Sequence, residues 1–401
     1  MPALLSILPA ALLFAAKAQG LVTRASSAAD ATCTPASGTN DDAPAIAAAF
    51  SSCFSGTIVI PAGKTYNIGS VLSWTGCAGC TLQLDGTLNV STNLTYWNGK
   101  SEIFSIANIN GATIYSSTGT GVIEGNGQAS WDYIVDGDTS YDRPNLIRVD
   151  GTTNLKMYNL EIRNSPQFHV VTSGNSKDIY YGDITLYAVS TSNNVAHNTD
   201  GFDVGPASYV TLENLHVTNG DDCVVLKPGA DNIVAREITC IGSHGLSVGS
   251  LGSSYGKTDS VTNSIFEGAY MSGATKAGGV KVWPAGPDHG SAVVSNVTWR
   301  DIYCDGCQYA LQIESCYSED DSYCEEYPST AQLTNVVWQN VTGVTDGKYD
   351  DVVGNLNCPG AGTCGISVSE LSVKSPDGGQ TVLCANTDGD IGVTCTNGAS
   401  G

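Results

Sequence analysis

The sequence predicts an all-β chain wound into a single right-handed parallel β-helix, with a short helix over its N-terminal end. Three observations predict it. Short runs of alternating apolar residues recur, turns rich in Gly, Asn and Asp separate them, and similar units return every roughly twenty to thirty residues. The alternation is visible in Leu160-Glu161-Ile162, Val210-Thr211-Leu212, Ile233-Val234-Ala235, Val297-Thr298-Trp299 and Val336-Val337-Trp338. A period of two puts every second side chain on one face of a strand. Stacked solenoid turns then bury a continuous core that no single turn encloses. An antiparallel sandwich also uses many short strands. Few two-residue hairpin turns join these runs, which argues against it.

In chain order, the apolar run from Ala3 to Ala16 and the small-x-small site Ala16-Lys17-Ala18 predict a signal peptide over residues 1–20. The run is too short to span a bilayer, so no membrane anchor is expected. Residues 21–401 contain no linker and are expected to form one catalytic domain. Asp42 to Cys53 reads as the N-terminal helix, with Asp41 or Asp42 as its cap. No other helical stretch is evident. From about Cys304 the chain is richer in cysteine and is expected to end in disulfide-tied loops.

The formal net charge is -22, with only 17 Lys and Arg. That excludes a nucleic-acid binder, which needs a basic face. The 14 cysteines include the close pairs Cys77/Cys80, Cys304/Cys307, Cys316/Cys324, Cys358/Cys364 and Cys384/Cys395. Two are C-x-x-C, a spacing zinc also uses. With few histidines and a secretory leader, disulfides in a secreted protein are the expectation. Four N-x-S/T sequons, at Asn89, Asn93, Asn296 and Asn340, predict glycosylation. The acidic run from Glu319 to Glu326 lacks the spaced ligands of an EF-hand and reads as a solvated loop. No metal and no cofactor are expected.

Four polar clusters carry the chemistry: Asn198-Thr199-Asp200, Gly220-Asp221-Asp222, Ser243-His244-Gly245 and Gly279-Val280-Lys281. Asp200 to Asp221 is 21 residues and Asp221 to His244 is 23, each about one solenoid turn. The clusters should therefore stack on one face. Three aspartates in one groove suit glycoside hydrolysis, which needs one carboxylic acid and one carboxylate. Crowding of like charges raises the proton affinity of one of them. Asp203 is expected to be structural, and His289 to lie in a surface loop. Trp283, Trp299 and Trp338 are expected to pack rather than stack on sugars.

Asn198-Thr199-Asp200-Gly201, Gly220-Asp221-Asp222-Cys223, Ser243-His244-Gly245 and the downstream Lys281 resemble the signature of family 28 of the glycoside hydrolases, which includes the polygalacturonases. The resemblance covers most of the chain after residue 20. It implies a pectin-lyase-like β-helix that hydrolyses galacturonan with inversion. It implies Asp221 as general acid, Asp200 and Asp222 activating water, His244 supporting the acid, and Lys281 with Asn198 binding substrate. It also implies a Cys223–Cys240 disulfide. The last motif departs from the usual Arg-Ile-Lys, because the Arg position is Gly279. Loss of a bidentate grip on a carboxylate should reshape the site and leave more room. The stretch Gly242 to Gly252 and the tail around Cys384 and Cys395 resemble the fungal xylogalacturonan hydrolases. That implies a secreted, monomeric enzyme with an opened cleft for xylose-branched galacturonan and endo action. An exo-polygalacturonase or exo-rhamnogalacturonan hydrolase, sharing much of this pattern, is the nearest alternative. A pectate lyase or a non-catalytic wall binder is the competing class. Neither explains three aspartates gathered with a histidine and a lysine.

Overall fold

A computed structural model describes residues 31–401, apart from 75, 78, 135–139 and 361. The expected leader, residues 1–20, lies outside the described residues. The chain is a right-handed parallel β-helix. The larger sheet has 15 strands and runs from Thr32–Cys33 to Cys364–Lys374. The smaller has 12 and runs from Leu72–Ser73 to Cys395–Asn397. Strands pair in parallel with the turns before and after them. One turn takes 23 residues from Leu215 to Ile238 and 39 from Ile302 to Val341. The longest turns thus exceed the spacing that the sequence suggests.

Alternation explains the strands, and left-handed residues explain the corners between them. In Ser291–Cys307 the inward side chains are Val294, Val297, Trp299, Ile302 and Cys304. The step is three instead of two at Asn296 and at Asp301, both at φ 56°. Asn and Asp tolerate this conformation better than other side chains with a Cβ. Equivalent corners stack: Asn214 Nδ2 donates to Asp183 (2.6 Å) and Asn340 Nδ2 to Asp301 (2.6 Å). Asn296 Nδ2 donates to Asn263 (3.0 Å), and its carbonyl accepts from Asn335 (2.9 Å). Two of the four sequon asparagines therefore belong to corner ladders. Asn93 caps the helix Leu94–Trp97 through Tyr96 N, and Asn89 accepts from Asn126.

The expected N-terminal helix forms at Ala43–Ser52. Ile46 and Phe50 plug the open core, and the Phe50 ring lies 4.7 Å from Trp74. Both candidate caps take part. Asp41 accepts from Ala43 N, while Asp42 accepts from Thr39 and from Asn67 N. Three short helices were not legible in the sequence: Leu94–Trp97, Gln128–Tyr133 and Asp321–Glu326. At four to six residues they carry too little of a 3.6-residue period. The last replaces the loop expected over the acidic run.

Seven disulfides use all 14 cysteines, including the five close pairs, Cys223–Cys240 and Cys33–Cys53. None is left for zinc. Cys223–Cys240 crosses the core directly behind Asp222, from the smaller sheet to the larger.

Trp299 and Trp338 pack as expected. Their rings stack at 4.9 Å, and Phe266 extends the stack at 5.4 Å. Trp299 Nε1 donates to Leu246 O across the core (3.0 Å). Residue 278 must be Gly, since a Cβ there would meet the Trp299 indole. Trp299→Ala should lower stability by about 3–5 kcal/mol, measured by denaturant titration. A loss under about 1 kcal/mol would show that the stack is not a core element.

Candidate active site

The smaller sheet arranges the site. Phe202, Val224, Leu246 and Gly278 are register partners in successive turns. Two residues before each stand Asp200, Asp222, His244 and Lys276. The clusters therefore meet on one face as expected, and Lys276, which sequence reasoning missed, joins them. A register shift after Asp222 pairs it with Gly245, so His244 stands beside Asp221. Further along the rungs, Ser247, Gly279 and Gln312 form a second column. Gly249, Lys281 and Glu314 form a third. A register irregularity between Asp222 and Val224 lets adjacent Asp221 and Asp222 reach one cleft rather than opposite faces.

Asp222 is buried under cations. Lys281 Nζ donates to its Oδ2 (2.7 Å), Ser247 Oγ to its Oδ1 (2.5 Å), and Lys276 Nζ lies 3.9 Å from Oδ1. Burial alone would raise its pKa. Lys281, then Lys276 and Lys227, outweigh burial and hold it well below the usual carboxylate range.

Asp200 is the opposite case. Burial first, then the charges of Asp203, Asp221 and Asp222, hold its pKa well above the ordinary value. Lys227 is its nearest cation at 3.8 Å, shared with Asp203 at 3.5 Å. Asp200 Oδ1 and Asp203 Oδ1 are both buried without a hydrogen-bond partner among the described residues, and burial raises the pKa of Asp203 as well, against the pull of Lys227. Asp203 is thus buried and part of the charge balance. Beneath Asp200, His169 Nδ1 lies 3.1 Å from the Asp200 carbonyl, and burial pushes its pKa down to about 4, so it stays neutral.

Asp221 is the most accessible of the three aspartates, at 17% side-chain exposure. His244 Nδ1 is 3.0 Å from its Oδ1, and Asn198 Nδ2 donates to its Oδ2 (3.3 Å). Burial raises its pKa, but the His244 contact more than offsets this and the net shift is downward. Arg143 holds Asn198 in turn. Its guanidinium donates to Asn198 Oδ1 (2.7 Å), His197 O (2.5 Å) and Pro166 O (3.0 Å). No local pattern around Arg143 announces this.

A pocket of about 350 Å³ opens beside Asp221 and His244, lined by Lys276, Lys281, Gln312, Glu314 and Tyr317 among others. Lys281 Nζ lies 5.5 Å from the Tyr317 ring centroid. Gly279 does not leave the extra room expected of it. A Cβ there would stand 2.8 Å from Lys276 Cδ and 2.6 Å from Gln312 O, so neighbours already fill the space. His289 is also corrected: it is buried, not in a surface loop. Its Nε2 meets Glu319 at 3.1 Å, and its ring lies 4.7 Å from Trp283, behind Tyr317. Asp221, Asp222 and His244 place ligand atoms within 4.8 Å of one another. A metal ion there would compete with the Lys281 ammonium already on Asp222.

A family model for the glycosyl hydrolases of family 28 matches residues 51–396. The chain belongs to family 28. This glycoside hydrolase is 47% identical over 377 residues to an endo-xylogalacturonan hydrolase A from Aspergillus tubingensis, covering 93% of this chain and 92% of the relative. The crystal structure of endo-xylogalacturonan hydrolase from that fungus superposes with a TM-score of 0.90 at 47% identity, covering 92% of this chain and 100% of the other. An endopolygalacturonase I from Stereum purpureum, solved with two galacturonate molecules, gives 0.59 at 21% identity, covering 86% and 95%. That last likeness speaks to the fold.

The raised pKa of Asp200 makes a stability prediction. The folded family-28 enzyme keeps a proton there that the unfolded chain loses near the ordinary value of about 3.9. Wild-type stability therefore falls as pH rises from that value through the higher folded one. Asp200→Asn removes the titration. Melting temperatures compared between about pH 4 and pH 7 should favour the variant increasingly as pH rises. A difference independent of pH would mean that Asp200 is ionised throughout.

Proposed function

We propose that this enzyme cuts α-1,4-galacturonosyl linkages within a galacturonan that carries xylose branches, with inversion at the anomeric carbon. The 47% identity to an enzyme of that name, over nearly the full length of both chains, carries the reading. The cleft supports it, because lysines stand among its acids where a uronate carboxylate needs a partner. Seven disulfides and the expected leader support an extracellular place of work. The partner is a pectic polysaccharide, and the enzyme acts as a monomer.

In this reading Asp221 is the general acid. It protonates the glycosidic oxygen as the C1–O bond breaks. His244, with its Nδ1 3.0 Å from the Asp221 carboxyl, orients that group toward the glycosidic oxygen. A water attacks C1 from the other face, oriented by the ionised Asp222. Its proton passes to Asp222, the carboxylate that the lysines keep ionised, while Asp200 helps to hold the water. Lys281 keeps Asp222 charged and turns its remaining donors toward a substrate carboxylate. Asn198 aims Asp221 and lies at the mouth of the cleft.

The test is a product profile on xylogalacturonan and on linear polygalacturonate at mildly acidic pH. Mixed oligomers from the branched polymer, no unsaturated ends absorbing in the ultraviolet, and an unchanged rate after chelation are expected. Galacturonate monomer from the linear polymer would make the enzyme exo-acting, and ultraviolet absorbance would make it a lyase. Asp221→Asn should fold normally and lose about 10²- to 10⁴-fold in kcat. Near-wild-type turnover would remove Asp221 from the role of acid.

A further inference from the structure

We propose that Lys276 is the cation that grips the carboxylate of the galacturonate unit beside Asp221, its stem passing against Gly279. The proposal rests on the galacturonan reading above.

Place is the first argument. Gly245 is the register partner of Asp222 and faces the Lys276 carbonyl, so Lys276 follows Asp222 along the rungs with no side chain between them. It opens the strand Lys276–Val282 and lines the pocket next to Asp221. Lys276 is 3% exposed, yet its side chain reaches the pocket wall.

Bonding capacity is the second. Asp222 already receives Lys281 at 2.7 Å and Ser247 at 2.5 Å. Lys276 sits 3.9 Å away, beyond hydrogen-bond reach, and its ammonium makes no hydrogen bond among the described residues. An ammonium has three donors. A buried one without acceptors is costly, and burial together with Lys281 lowers its pKa. An arriving carboxylate would relieve both. Lys281, by contrast, already spends one donor on Asp222.

The slot is the third. A Cβ on Gly279 would stand 2.6 Å from Gln312 O and 2.8 Å from Lys276 Cδ, so the bare glycine gives the lysine stem its room. Gly245 is fixed separately, by its φ of 104° and by the Lys276 carbonyl, which a Cβ would meet. The charge that a longer side chain at 279 could bring to this wall arrives from 276 instead. A lysine is a point charge rather than a planar fork, so it grips a single carboxylate oxygen and leaves the sugar freer to tilt. Glu314 lines the same pocket, and its charge favours the ammonium form of Lys276.

The test uses Lys276→Met, which keeps the stem and removes the charge. Its kinetics are compared with wild type on de-esterified and on methyl-esterified galacturonan. The expected result is a KM higher by about 10- to 100-fold on the de-esterified polymer. Any fall in kcat passed on through Asp222 should be the same on both polymers, whereas the KM loss should be confined to the de-esterified one. An unchanged KM overturns the proposal. So does an equal KM loss on both polymers, which would place Lys276 behind Asp222 rather than on the substrate. Gly279→Ala keeps the ammonium but crowds its stem, and a KM defect like that of Lys276→Met is expected. Melting temperatures identify any variant that loses activity by failing to fold, and a normal KM in a folded Gly279→Ala protein overturns the slot. Wild-type inactivity on every galacturonan would strike the underlying reading, and is read from the wild type alone.

Discussion

The register of the smaller sheet is the constraint on which everything else here depends. Parallel rungs repeat at about 4.8 Å, so residues at one offset from the buried apolar positions stand in a column. Asp200 and Asp222 share such an offset, and a one-residue register shift after Asp222 brings Gly245 over it and His244 to Asp221. A slip of one residue would turn a strand's outward side chains into the core. Several features fix the register against this. Trp299 reaches across to the Leu246 carbonyl, Gly278 admits its ring, and Cys223–Cys240 ties the Asp222 strand to the opposite sheet. The catalytic geometry is thus an outcome of core packing.

Register gathers charges that would otherwise stay apart. Four aspartates, at 200, 203, 221 and 222, face Lys227, Lys276 and Lys281 in a buried wall. Burying ions is unfavourable unless partners and hydrogen bonds offset it, and removing one partner costs more than the pair contributes. The wall resolves the problem unevenly. Asp222 takes most of the positive charge and is ionised, while burial raises the pKa of Asp200 and of Asp203. Two carboxylates a turn apart acquire opposite proton affinities from their surroundings alone, which is the division of labour that acid–base chemistry uses.

Much of this was legible in the sequence. Alternating runs at Val210 or Val297 announce strands because one face of each must be apolar. The aspartate and histidine clusters announce a site because their spacing equals a turn. The close cysteine pairs announce their own bonds. Lone cations gave no such signal. Arg143 and Lys227 act on groups reached through other turns, and nothing beside them in the chain marks that duty. Lys276 could have been found, since it keeps the same offset from Gly278 that Asp222 keeps from Val224. The room expected at Gly279 failed for a related reason. A missing side chain empties space only if no neighbour fills it, and neighbours in a solenoid come from adjacent rungs. His289 was misplaced because a Gly-Pro-Asp-His-Gly stretch looks like a surface turn, while its ring is buried against Trp283.

The net charge of -22 also bears on how such a molecule moves. With only 17 basic side chains, three of them in the cleft wall, most of the surface repels a polyanionic gel. An enzyme with a basic exterior would adsorb to the first pectin it met and stay there. This one is held only where a strand threads the groove. It can therefore percolate through a charged matrix between cuts, and its depth of penetration is set by diffusion rather than by desorption.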